Sequence, residues 1–219
     1  MRKITFAFLA SLLLCFAYAP LLSAAEAVGM IERLKGPASR TDTAGETVVS
    51  TGSMILVGDI LKTGNGSRMI VRFQDQSTLT LGENAEVLVD EMIYTPAGAE
   101  PESGSQSLKF VQGVFGYVSG KVGKAIPRNV ALATPVATIG IRGTEVIFGE
   151  LTVGMPPGVP HYGFQIYDGA VAITSTQGTV ILDEPGEGTF LPIGREAAPT
   201  PVRQWTDEEA QEALDALRF

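Results

Sequence analysis

The chain has 219 residues, 45% hydrophobic and 18% charged, with 24 acidic against 16 basic side chains for a formal charge of −8. That apolar content supports a packed core and excludes a disordered chain, and the length suits one domain. An acidic balance is the wrong one for neutralising phosphates, so no nucleic-acid partner is expected.

The first 25 residues combine a short basic start (Arg2, Lys3), an apolar run from Ile4 to Leu22 and the small residues Ser23, Ala24 and Ala25. They read as a signal peptide over 1–25, with an uncleaved anchor as the alternative because the run approaches bilayer-spanning length. Pro20 and the small residues favour cleavage, which predicts a periplasmic or secreted product that meets a membrane only through an uncleaved leader. Cys15, the sole cysteine, sits inside the run after Leu14, a poor context for lipid attachment. The mature chain is therefore expected to have no disulfide.

From Ala27 to about Ile193 short β-branched runs alternate with glycine turns, and no long 3.6-residue apolar period appears. This predicts an all-β body of roughly a dozen short strands. Gly36-Pro37, Gly52, Gly58-Asp59, Gly64-Asn65-Gly66, Gly82 and Gly113 mark turns. Residues 69–73 and 78–81 read as a hairpin about Asp75-Gln76-Ser77, burying Met69, Val71, Phe73, Leu79 and Leu81 on one face. Another strand follows over 86–90. The stretch 95–106 (TPAGAEPESGSQ) lacks a core-forming residue and is expected to be an exposed excursion. Strands resume over 108–110 and 114–118, then after a link through Gly123, Lys124 and Pro127 over 130–133, 137–141 and 145–148. A proline-rich insert over 154–161 (GMPPGVPH) cannot join a central ladder. Further strands are predicted over 164–167, 171–174, 179–182 and 189–191.

A linker through Ala197-Ala198-Pro199-Thr200-Pro201 leads to the one clear helical pattern. Thr206 and Glu209 make a capping box, and Ala210, Ala213, Leu214 and Leu217 share a face, with Trp205 and Phe219 at the ends. That face either docks back on the β body or offers Trp205, Leu214 and Leu217 to a partner.

Three ordered segments resemble the FecR domain family: VGDILKTGNGSRMIVRFQDQSTLTLGENAEVLV (57–89), LATPVATIGIRGTEVIF (132–148) and IYDGAVAIT (166–174). The motif positions are Gly58, Asp59, Thr63, Gly64, Asp75, Arg142, Gly143, Thr144 and Gly169. Gln76 departs from the pattern, standing where the family usually has a turn glycine. The resemblance implies a twisted, solenoid- or roll-like stack of short strands over 26–195 in an envelope compartment, with 196–219 as linker and C-terminal helix. It also implies founding relatives that are transmembrane regulators, with an outer domain meeting a receptor and an inner segment controlling a sigma factor. With the leader at the start of the chain, no such inner segment is expected here.

No catalytic residue, cofactor or metal site is expected. The only histidine, His161, lies at the end of the proline-rich insert and reads as a surface-loop residue without a nucleophile beside it. One histidine and no mature cysteine do not suit zinc, and no calcium-loop spacing occurs. The pairs Asp90 with Glu91 and Glu83 with Glu86 have no spacing that shows convergence on a sugar. Asp59 reads as a turn residue. Arg142, amid apolar strands, reads as a structural pin bonded to turn carbonyls or to Asp59 or Asp75, with partner contact as its alternative. The expected function is noncatalytic: an exported domain that binds an envelope protein or a peptidoglycan component, in signalling or scaffolding, with oligomeric state left open. The competing classes are an enzyme acting on cell wall or lipid and a structural subunit of an envelope assembly.

Overall fold

The computed structural model describes residues 26–97 and 100–219, so the predicted signal peptide and Cys15 lie outside the described residues. In chain order the strands are β1 (Gly29–Lys35), β2 (Ala38–Asp42), β3 (Gly45–Val48), β4 (Met54–Ile55), β5 (Ile60–Thr63), β6 (Arg68–Phe73), β7 (Thr78–Leu81), β8 (Glu86–Ala97), β9 (Glu100–Gln112) and β10 (Val114–Val118). A short helix α1 (Lys121–Ala125) and a single 3-10 turn (Pro127–Asn129) precede β11 (Val130–Ala133), β12 (Thr138–Leu151), β13 (His161–Ser175), β14 (Gly178–Leu182), β15 (Glu187–Pro192) and β16 (Arg203–Gln204). The helix α2 (Asp207–Leu217) ends the chain.

The strands join one sheet in the order β3-β2-β5-β8-β9-β11-β12-β10-β7-β6-β1-β4, with β13 branching from β12 to pair β14 and β15. All pairs are antiparallel except β9 with β11. The sheet curls into a half-barrel, so the all-β body with a C-terminal helix is what the chain forms. The curl has a simple cause: alternation puts one set of side chains inside, and that set must be closed away from water. In β6 and β7, Met69, Val71 and Phe73 face Leu79 and Leu81 across the register Met69↔Leu81 and Val71↔Leu79, as the hairpin pattern predicts. Gln76 turns that hairpin with φ of +71°, so it occupies the left-handed region where glycine is the usual residue. A run of aromatic contacts, Phe110 to Phe148 and Phe148 to Phe164, carries the core beneath the long strands.

Three expectations need correction. Residues 95–97 and 100–106 are not an irregular excursion but the outer part of the β8–β9 hairpin, paired from Met92↔Gln106 to Ala97↔Glu100. Main-chain pairing alone extends a ladder beyond the core, so an apolar count misses it. The link after β10 contains α1, anchored where the Lys121 amide donates to the Asp75 carbonyl at 2.8 Å. Described strands number sixteen rather than about twelve, because two-residue pairings such as β4 and β16 carry no periodic pattern.

Candidate functional site

The family-like positions fall into two groups. In the first, Gly58 (φ +91°) opens the turn into β5, and Asp59 behind it is buried. Asp59 Oδ2 accepts from the Leu56 amide at 2.8 Å and lies 3.5 Å from Arg40 Nη1. Burial raises its carboxyl above the ordinary carboxylate range, against the lowering effect of that amide and Arg40. Thr63 Oγ1 donates to the Gly82 carbonyl at 2.7 Å and accepts from the Ala85 amide at 2.9 Å. Gly64 abuts Pro37, whose ring a Cβ would approach to 3.0 Å. Asp75 is fully buried: Oδ1 accepts from Ser77 N (2.9 Å) and Ser77 Oγ (2.6 Å), and Oδ2 from the Val122 amide of α1 (3.3 Å). Gln106 continues the network, donating to Ser77 Oγ at 3.3 Å and accepting from the Tyr117 hydroxyl at 2.6 Å. Burial, with the charge of Asp75, pushes the Tyr117 phenol well above its ordinary value. These residues brace the framework through satisfied buried polar groups.

The second group surrounds a bulge. The β12–β13 register shifts between Arg142 and Glu145, where Gly143 (φ +61°) lies beside Gly169 (φ +81°). A Cβ on Gly169 would sit 2.1 Å from the Gly143 carbonyl oxygen, so close backbone approach requires glycine there. Thr144 holds the bulge: its hydroxyl donates to the Ala170 carbonyl at 2.7 Å and accepts from the Arg142 amide at 3.1 Å, while its own amide donates to Ser119 Oγ at 2.8 Å. Arg142 itself is exposed and makes no ion pair among the described residues. The pin is therefore Thr144, not Arg142. Ile141 points inward and strand alternation turns Arg142 outward. The acids proposed for it are engaged elsewhere, Asp59 by Arg40 and Asp75 by Ser77 and α1.

Outward, Arg142 meets a groove of about 470 Å³ across β11 to β14. Gly140, Ala170 and Ala172 line it with little bulk, Arg128 flanks it from the 3-10 turn, and Ile181 and Asp183 border it on β14 and just beyond. Ile181 is 60% exposed. Arg128 carries no local signal in the sequence, whereas Ile181 is legible there as an apolar residue on the Thr179 side of an alternating strand.

Of the other named residues, all but Leu214 pack against the body. His161 is not on a surface loop but buried as the first residue of β13, paired with Leu151 and Pro192. Its ring nitrogens lie 2.8 Å and 2.9 Å from the carbonyls of Val159 and Val153, because the proline-rich insert folds back over it. Trp205 and Leu217 are used by the protein itself: Trp205 stacks on Phe190, and Leu217 packs on Gly116. Leu214 stays exposed, so α2 docks back and only its outer face meets solvent. Among the described residues no helix is long and apolar enough to cross a membrane, and no cluster of three or more His, Cys, Asp or Glu is placed to hold a metal ion.

Residues 59–156 of the chain match the family model described as FecR protein. Its fold is similar to a crystal structure of a candidate anti-sigma factor from Parabacteroides distasonis, with a TM-score of 0.50 and 10% identity over 69% of this chain and 62% of that one. A second crystal structure of the same description aligns over the same shares with a TM-score of 0.49 and 9% identity. The chain therefore spans about 62% of the length of these solved proteins. No curated protein matches it.

Proposed function

We propose that this FecR-like protein is an exported, noncatalytic signalling module that recognises a protein of the cell envelope through the groove beside Arg142. One observation carries the reading. The arginine of the family-like Arg-Gly-Thr element stands exposed and without an ion pair among the described residues, at the rim of a groove held by a rigid bulge. A cation kept in solvent by a braced backbone contributes little to folding but is well placed to choose a partner. The fold shared with a candidate anti-sigma factor fits a signalling role. In this reading 1–25 is a leader, 26–195 the recognition domain, and 196–219 a linker and helix that brace the body. A peptidoglycan component is the competing ligand.

Placing a photo-crosslinking residue at Arg128 in intact cells tests this. One dominant protein adduct is expected, weakened about tenfold or more by Arg142→Glu, as for a charge in a recognition surface. Adducts indifferent to Arg142→Glu, or adducts to wall sugar alone, would overturn it. Export is checked by the intact mass of the envelope-fraction protein, expected to begin near Glu26.

A further inference from the structure

Natural sheets blunt their edges with charge, proline, bulges or brevity, because an unpaired strand recruits another. The edge strands here differ in this respect. β4 and β16 are two residues long, and β3 (GETV) carries glycine and a glutamate. β14 (GTVIL) has none of these charge or proline guards, pairs with β13 only, and exposes Ile181. The register Ser175↔Gly178 closes a tight turn over Thr176 and Gln177, which makes that pair hydrogen-bonded. Alternation then leaves the N–H and C=O of Thr179 and Ile181 directed away from β13.

We propose that the outer edge of β14 is where an extended segment of the protein partner adds as a further strand, with an uncharged β-branched centre and cationic side chains at its ends. This rests on the partner being a protein, since a saccharide would leave the edge unused. Main-chain pairing with Thr179 and Ile181 supplies the docking. The ends supply selectivity. Asp183 and Glu184 follow β14 on the surface, and Glu196 lies at the opposite end, accepting from Gln177 Nε2 at 3.0 Å. A second copy of this chain fits poorly. Twofold pairing about Val180 would match Thr179 with Ile181 but bring Asp183 of one copy to Gln177 and Glu196 of the other, between chains each of formal charge −8. An added strand would also extend the Ile181 wall of the groove, joining the edge to the surface that carries Arg142.

The test titrates the full chain with a short capped peptide of alternating threonine and valine bearing lysine at both ends, alongside its twin bearing glutamate. The lysine peptide is expected to bind about tenfold or more tightly than the glutamate one. N-methylation of its alternate amides, which removes the donors facing β14 and leaves the protein untouched, should abolish binding. Ile181→Pro should do the same with the melting temperature preserved, because the lost N–H points away from β13. Equal binding of the two peptides, indifference to N-methylation, or no binding of the lysine peptide at millimolar concentration overturns the inference. If the Arg128 position still cross-links to a protein in that case, the partner reading stands and the added strand alone falls. If the peptides behave as expected but no protein adduct forms, the partner reading falls instead.

Discussion

Trp205 lies flat on Phe190, with ring centroids 4.9 Å apart and planes 5° from parallel, and it covers Gly163 and Gly188 so closely that a Cβ on either would strike the indole. On Gly188 that atom would sit 2.1 Å from Nε1, and on Gly163 2.8 Å from Cη2. This contact, with Glu212 accepting from the Thr152 and Val153 amides, seats α2 against the β body.

Trp205→Ala should cost about 3–5 kcal/mol, the range for a buried aromatic replaced by alanine. Gly188→Ala should cost about 1–3 kcal/mol by overpacking the same contact. Urea unfolding measures both, and limited proteolysis of Trp205→Ala should release the C-terminal helix first. A Gly188→Ala protein as stable as the parent would contradict the stack.

Removing the Asp75 carboxylate strands the Ser77 and Val122 amides in the interior. Asp75→Ala should therefore cost about 3 kcal/mol or more, whereas Tyr117→Phe, which deprives only the Gln106 acceptor, should cost about 1–2 kcal/mol. The ordering of the two in thermal unfolding is the check, and the reverse order would show that the network is not centred on Asp75.

Because Arg142 is exposed and Thr144 holds the bulge, Arg142→Ala should change stability by no more than about 0.5 kcal/mol. Thr144→Ala should lower it by about 1–2 kcal/mol through the lost bond to the Ala170 carbonyl. A large loss in Arg142→Ala would restore the arginine as the pin.

Arg203 holds the Glu209 carboxyl below its ordinary value of 4.5 through two bonds of 2.8 Å and 2.5 Å, overcoming the opposing effect of burial. A folded-state value below the unfolded one adds stability that is complete above the ordinary value and is lost as pH falls through the depressed one. Glu209→Gln should thus cost about 1 kcal/mol near neutrality, a figure reduced because Arg203 is 46% exposed. The difference from the parent should close in acid below the ordinary carboxylate range. Asp59 acts in the opposite sense: burial raises its carboxyl above 3.8, so its ionisation opposes folding as pH rises from that value through the raised one. A Glu209→Gln deficit independent of pH would rule out the ion pair as its source.

The amino-acid sequence by itself determined what depends on neighbours a few residues apart. Period-two alternation defined β6 and β7, the Thr206–Glu209 capping box defined the start of α2, and glycine turns between β-branched runs defined an all-β body. At Gln76 the sequence showed only a departure from a glycine turn pattern, and its left-handed backbone was fixed by the structure. Only the tertiary structure decided which way Arg142 points at the bulge, that His161 is enclosed, that residues 95–97 and 100–106 pair as strands, and that β14 is left with an open edge. Each depends on which distant segment supplies the facing backbone. Side-chain periodicity records the face a residue needs, whereas main-chain hydrogen bonds, nearly identical from residue to residue, carry no letter in the sequence to say who their partner will be.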